Sequence, residues 1–363
     1  MPIQKLQYRP GVNRDVTSYT NEGGWIDSDK VRFRLGFPEK IGGWVKRTAN
    51  TYLGSARSLF PWTALDGSKF IAVGTSSKYY IVQGDDFNDI TPIRQTTTGE
   101  ATFSVANGAT VATVTDTSHG ANVGDFVTFS DAASLGGNVT AAVLNQEYEI
   151  ASVPTVNTFT INLSVTGNAS DTGNGGGSTV AAFQIDCGLD TQVGGTGWGA
   201  GTWQRGTWGS SFGTGVDTEL SLWNEDNFGE DLLLNLRDGG VYYWDKSGGL
   251  AARAVNLVDV DNANNAPTIA KQVMVSDNSR HIIVFGTNTI GTTTQDPLLI
   301  RFSSSESLTD WAPTPTNSAG DLRIGSGSTF ITAIETKREI VIFTDSTLHS
   351  MQFLGAPFSF GIQ

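Results

Sequence analysis

The groups in this sequence that could do chemistry are few, and their spacing limits each of them. The three histidines, His119, His281 and His349, stand in no HExxH or comparable ligand spacing, so a histidine-based metal centre is not expected. Cys187 is the single cysteine. It excludes an intramolecular disulfide framework, has no neighbouring His or basic residue to lower its pKa, and reads as a small buried hydrophobe rather than a nucleophile. Asp259, Asp261 and Asn262 match the first ligands of a calcium loop, but the glycine and distal glutamate that complete such a loop are missing. No GxxxxGK[ST] occurs, and the glycines at 195–209 do not follow an apolar strand and open a helix, so a phosphate cradle lacks its context. The 36 Asp and Glu are spread along the chain, whereas a glycosidase pair is defined by separation in space. The expectation is a protein that is not an enzyme, with no catalytic residue, metal or cofactor.

Two further sets point to binding. Trp198, Trp203 and Trp208 recur every five residues among glycines, a spacing that fits neither the strand period nor the helix period, so no regular face collects the three rings. They anchor a loop on a neighbouring element or subunit, or they form a stacking platform for a glycan. Arg32, Arg34 and Lys40 alternate with Phe33, Leu35 and Ile41, as in a solvated edge strand or in an arm that docks onto an acidic neighbour. Net charge is −13, yet residues 1–50 hold nine Lys and Arg against five Asp and Glu. The remainder therefore carries −17. An acidic body does not grip a phosphate backbone, because that affinity grows with the number of phosphates neutralised. Contact with nucleic acid is expected to be passive.

The elements that position these residues read as strands. In residues 279–311, two apolar runs of four to six residues are separated by Gly, Asn, Thr and Asp and followed by a Ser-rich turn ending on Trp311, which is hairpin grammar. Similar units start near Leu53, Leu220, Thr268 and Asp321, the first of them read as three strands. Small antiparallel sheets repeated every 40 to 55 residues predict an all-β protein of β-propeller type, with a string of sandwich strands as the alternative. Residues 1–52 read as an extended arm, 53–95 as the first propeller unit and 96–187 as an inserted small all-β domain. From Gln95 to Gln204 there is no Lys or Arg at all. Within the insert, residues 168–179 read as a flexible Gly/Asn/Ser tract. Residues 188–215 form the Gly/Trp-rich loop, and 216–363 hold the further units, the last ending inside a strand. With no apolar leader near the start and no run of 18 apolar residues, the expected protein is soluble when made and folds in a reducing cytoplasm.

Several stretches carry resemblances. The insert, with Thr117-Ser118-His119-Gly120, Val123-Gly124-Asp125, Tyr148-Glu149-Ile150 and residues 157–161 (NTFTI), resembles the FCCH-like β-module inserted in phage tail proteins. Residues 303–311 (SSSESLTDW) resemble the Asp-box of sialidase-type propellers without its central Gly. The opening MPIQ with GVNRD, residues 31–44 (VRFRLGFPEKIGGW), RHIIVFG, LLIRFSSSESLTDWAP, residues 317–322 (NSAGDL) and 344–355 (TDSTLHSMQFLG) resemble the tail nozzle, or DNA stabilisation, proteins of short-tailed phages. That resemblance implies a structural virion protein in a ring of six copies below the tail adaptor and tube. The ring would adjoin fibre or spike proteins, retain the double-stranded genome, pass it at ejection and meet the host cell surface. It implies location in the virion tail, after a stage in the host cytoplasm. The family's propellers close with more than four blades, so the expectation here is either lost blades or a fragment. A receptor- or glycan-binding tail module is the alternative, prompted by the three tryptophans, and a propeller glycosidase is the third reading.

Overall fold

The computed structural model describes residues 9–43, 45–46, 48–188, 221–355 and 358–363. Two compact units emerge, residues 1–49 and 50–363. In the first, β1 (Val31–Arg34) and β2 (Phe37–Lys40) form a hairpin. Leu35 and Gly36 take its turn with φ of 51° and 85°, the left-handed values that a two-residue hairpin turn requires at both central positions.

The second unit is all-β and of propeller type. Blade 1 consists of β3 (Ala56–Thr63), β4 (Lys69–Thr75), β5 (Tyr79–Gln83) and β6 (Asp86–Asp89), hydrogen-bonded in that order. An insert follows, with β7 (Ile93–Thr98), β8 (Thr102–Val105), β9 (Val111–Thr115), β10 (Phe126–Ser130), β11 (Glu147–Thr155), β12 (Thr158–Asn162) and β13 (Val180–Gln184) in one seven-stranded sheet. Blade 2 is β14 (Trp223–Phe228), β15 (Asp231–Leu236), β16 (Val241–Trp244) and β17 (Val255–Asn256). Blade 3 is β18 (Gln272–Val275), β19 (Ile282–Phe285), β20 (Leu299–Phe302) and β21 (Gly320–Arg323), and blade 4 is β22 (Phe330–Glu335), β23 (Ile340–Thr344), β24 (Leu348–Phe353) and β25 (Phe360–Ile362). Every neighbouring pair within a blade is antiparallel. Among the described residues, α1 (Ala141–Leu144), inside the insert, is the one α-helix, and no helix is long and apolar enough to cross a membrane.

The blades exist because their strands are apolar on both faces, and they pack because one blade cannot cover its own faces. Each junction holds its own core. Between blades 1 and 2 lie Trp62, Phe70, Ile81, Leu232, Leu234 and Trp244; between 2 and 3, Leu233, Val273, Val284 and Trp311; between 3 and 4, Phe285, Ile300, Phe330 and Ile342. Polar side chains fix the relative positions. Trp62 Nε1 donates to the Glu230 carbonyl (3.1 Å), Trp223 Nε1 to the Thr75 carbonyl (2.8 Å), and Gln272 pairs through both amide ends with the Ala333 backbone. Gly74 permits one of these approaches, since a Cβ there would lie 2.5 Å from the Trp223 ring.

Three sequence expectations are revised. The fourth unit does not start at Asp321: Gly320–Arg323 is the outer strand of blade 3, with Leu322 opposite Ile300. The first unit has four strands, because Phe87 of Asp86–Asp89 turns back against Tyr52 and Tyr80. The tract at 168–179 is not free chain. The Asp171 carboxylate accepts the backbone N–H groups of Gly137, Val139 and Asn168 (2.7 to 2.9 Å) and ties the tract to the loop before α1.

Candidate functional site

The residues considered for chemistry are dispersed and already engaged. His119 lies in the insert core against Phe159 and Phe183, with Nδ1 accepting the Ala121 N–H at 3.1 Å. His281 in blade 3 sits among Phe302, Phe353 and Phe360, 3.0 Å from Ser318 Oγ, and burial lowers its pKa. His349 contacts Ser326 and Thr347 in blade 4. Burial, followed by the charges of Asp186 and Asp125, pushes the Cys187 thiol far up. A thiol reagent is therefore expected to leave Cys187 unmodified in the native protein and to label it fully in denaturant. Rapid native labelling would contradict its burial. Among the described residues no group of three His, Cys, Asp or Glu could hold a metal ion. Asp259 ends a short 3-10 turn, and Asn262 follows with φ 69°.

Residues 303–311 lie between the third and fourth strands of blade 3. Trp311 is buried in the junction with blade 2 and donates to the Leu308 carbonyl at 2.8 Å. Asn317 Nδ2 donates to the Asp310 carboxylate, 2.9 and 3.0 Å from its two oxygens, and to the Ala312 carbonyl at 2.7 Å. Ring and carboxylate are thus spent on closing the turn. Beside them the buried Arg301, its pKa lowered to about 10 by burial, lies 5.9 Å from the Trp311 ring and donates to the carbonyls of Asn265 and Asn288.

Two buried charge sets were invisible in the sequence. The first joins blade 1, blade 2 and the insert. Lys78, 2% exposed, contacts Asp89 (2.7 Å) and Glu147 (2.5 Å) and lies 4.5 Å from the Phe126 ring centroid. Arg253 of blade 2 reaches the same carboxylates, at 3.2 Å to Asp89 and 3.5 Å to Glu147. Burial raises the Asp89 pKa, but Lys78 and Arg253 outweigh it and hold the group below its usual value. The available signal was the absence of Lys and Arg across the insert. The half-buried Glu147 takes its cations from outside that stretch.

The second set lies on β14, whose adjacent Glu225 and Asp226 point into opposite junctions. Glu225 faces blade 1, with Ser58 as hydrogen-bond partner and Tyr79 close by; burial pushes its pKa up to about 7. Asp226 faces blade 3 and accepts the Val275 N–H at 2.8 Å. Burial, with Asp277 and Glu335 adding repulsion, raises Asp226 to about 6 against that bond and the Asn227 N–H. Glu335 of blade 4 accepts the Asp277 N–H at 3.0 Å, so carboxylates grip the end of β18 from both sides.

The binding candidates fall in different places. Arg32 pairs with Glu39 at 3.1 Å across the β1–β2 hairpin, and both are exposed. The register sets Arg32 opposite Glu39 and Arg34 opposite Phe37, while Lys40 lies opposite Val31. The turn thereby changes the parity, so Arg32 and Arg34 share one face and Lys40 takes the other. Arg32→Ala is expected to change stability by less than about 1 kcal/mol, as exposed pairs do, measured by urea denaturation. Trp198, Trp203 and Trp208 lie outside the described residues.

Apolar side chains are exposed on the first and fourth blades. Blades 2 and 3 are covered on both sides. Blade 4 turns Phe330, Ile342 and Met351 to blade 3 and leaves Ile334, Phe343 and Leu348 exposed on its other face. Blade 1 turns Trp62, Phe70 and Ile81 to blade 2; on its other face Leu59 is exposed and Ile71 and Val82 are half-buried, while Val73 and Tyr80 are buried and Tyr52 and Phe87 lie against Tyr80.

Fold and site together define an all-β assembly of propeller-type blades carrying an inserted β-module, with charge used to join elements. No family model matches the chain, and no curated protein matches it. Among solved structures it is similar to an endosialidase of phage phi92, at 14% identity and a TM-score of 0.23, over 89% of this chain. The chain spans 45% of that protein's length. A likeness so loose carries neither fold nor function.

Proposed function

We propose that the protein is a structural component of a phage tail, one subunit of a homo-oligomeric nozzle ring at the tail tip that retains packaged DNA and forms part of the ejection channel. The observation that carries this reading is the series of four propeller-type blades joined face to face by apolar junctions, an architecture that suits a structural subunit. Two features of the sequence support it. The nozzle-like segments cover nearly all of the chain outside the insert, and the −17 charge beyond residue 50 suits a wall along which a polyanion slides. In this reading the chain meets the tail adaptor and tube above it and fibre or spike proteins beside it. It touches genomic DNA passively and needs no cofactor. The site of action is the virion tail, reached after assembly in the host cytoplasm.

Negative-stain imaging of the purified protein tests the proposal. Rings with a central channel of about 20 Å, the scale of duplex DNA, are expected. Particles that remain single at the highest soluble concentration would overturn it, as would a ring whose channel is lined by Lys and Arg.

A further inference from the structure

The β1–β2 hairpin ends in an apolar tip that its own folding does not account for. Leu35 takes the first central position of the two-residue turn at φ 51°, where Asn, Asp or Gly is favoured and a bulky side chain is strained. At 91% exposed, it has little contact within the chain to offset that strain. Phe37 follows at 74% exposed, and all four residues of β2 are exposed. The surroundings are cationic. Residues 29–40 hold four Lys and Arg against two Asp and Glu. Lys30 pairs with Asp29 and Arg32 with Glu39, which leaves Arg34 and Lys40 without an ion pair among the described residues.

We infer that this hairpin is a membrane-contact tip, with Leu35 and Phe37 entering the interface of an anionic bilayer while Arg34 and Lys40 bind its phosphate headgroups. The dimensions agree. Register sets Arg34 level with Phe37, and Lys40 three residues further from the turn, opposite Val31, which is about 10 Å of strand rise. Interfacial segments bury their apolar groups about 5 to 10 Å deep. Lys40 therefore stands at headgroup level when Leu35 and Phe37 lie in the acyl boundary, and Arg34 reaches that level by extending its long side chain back along the strand. The net charge of −13 does not prevent the contact, because charge is screened beyond about 8 Å at physiological salt and the local excess is positive. A protein partner is less suited. Strand addition along β2 meets Pro38, which has no N–H for the ladder, and a two-residue tip offers no broad face to pack. The inference is independent of the ring proposed above.

Flotation of the full chain with vesicles tests the tip, using phosphatidylcholine alone and phosphatidylcholine with an equal share of phosphatidylglycerol. Circular dichroism confirms that each variant is folded. The unmodified protein is expected to float with the anionic vesicles and not with the neutral ones, and raised salt to weaken that binding. Leu35→Asn is the decisive variant. Asn tolerates left-handed backbone, so the substitution relieves the turn while removing the apolar group. Affinity for anionic vesicles is expected to fall at least about tenfold, while hydrogen exchange of the hairpin amides slows. Arg34→Glu is expected to weaken binding by about the same factor at low salt. An unmodified protein that binds no anionic vesicles, or binds both kinds equally, would overturn the tip. So would salt-sensitive binding that survives Leu35→Asn, since the cations would then meet an acidic surface without insertion. Vesicle binding without rings would leave the tip standing and sink the nozzle, and rings without vesicle binding would do the reverse.

Discussion

Replacing Lys78 with alanine is expected to lower the unfolding free energy by about 3 to 5 kcal/mol, the cost of leaving a buried ion pair without one partner. The reason is geometric. Lys78 is buried between two carboxylates from different elements, Asp89 of blade 1 and Glu147 of the insert, and its removal leaves Arg253 as their remaining cation. Because Arg253 is longer-range to both, it offsets part of the loss, which places the result toward the lower end of the range. Urea denaturation of both proteins reads the effect. The pH dependence has a defined sign. The Asp89 pKa is depressed in the folded protein, so its contribution is present above the ordinary carboxylate pKa and lost as pH falls through the folded value. The penalty of Lys78→Ala is therefore expected to shrink on acidification. An equal penalty at neutral and acid pH would show that Lys78 acts by packing alone.

Glu225→Gln is expected to do the opposite and stabilise the protein at alkaline pH. Burial raises Glu225 from 4.5 to about 7, and each tenfold gain in proton affinity corresponds to about 1.4 kcal/mol. The sign follows from linkage: the folded state holds this proton more tightly, so the contribution is complete below 4.5 and is lost as pH rises through about 7. Glutamine keeps the shape without the charge. The variant should match the parent near about pH 5 and exceed it by roughly 3 kcal/mol near about pH 8. Denaturation at the two pH values measures this. A variant less stable than the parent at both would mean that the carboxylate is held by a partner that glutamine does not replace. Asp226, raised to about 6 in the next junction, titrates in the same direction.

Much of the architecture was legible because strand grammar is local. Runs such as FIAVG and VYYW, bounded by Gly and Asp, state their own alternation, and four of them at blade spacing state a repeat. Boundaries were less legible. Asp321 looked like the start of a unit, and its strand became the last of blade 3 because Leu322 finds Ile300 across the register. Asp171 looked like part of a free tract, yet three backbone N–H groups converge on it. A single side chain can order a loop without any periodic pattern. Arg32, Arg34 and Lys40 differ for a comparable reason: one continuous strand would align them, and the turn at Leu35 and Gly36 sets Lys40 on the opposite face.

The sequence by itself determined that the chain is all-β, that its hairpins repeat, and that residues 95–204 hold no Lys or Arg. Each of these depends on near neighbours or on counting. The tertiary structure alone decided where the missing cations come from, since Lys78 and Glu147 stand 69 residues apart. It also decided that Glu225 and Asp226, adjacent on one strand, enter two different junctions, and that Leu59 and Leu348 are exposed while Leu233 and Val284 are buried between blades. Burial of a side chain is a property of what packs against it, and in a stack of blades that partner is another blade, whose position no local pattern encodes.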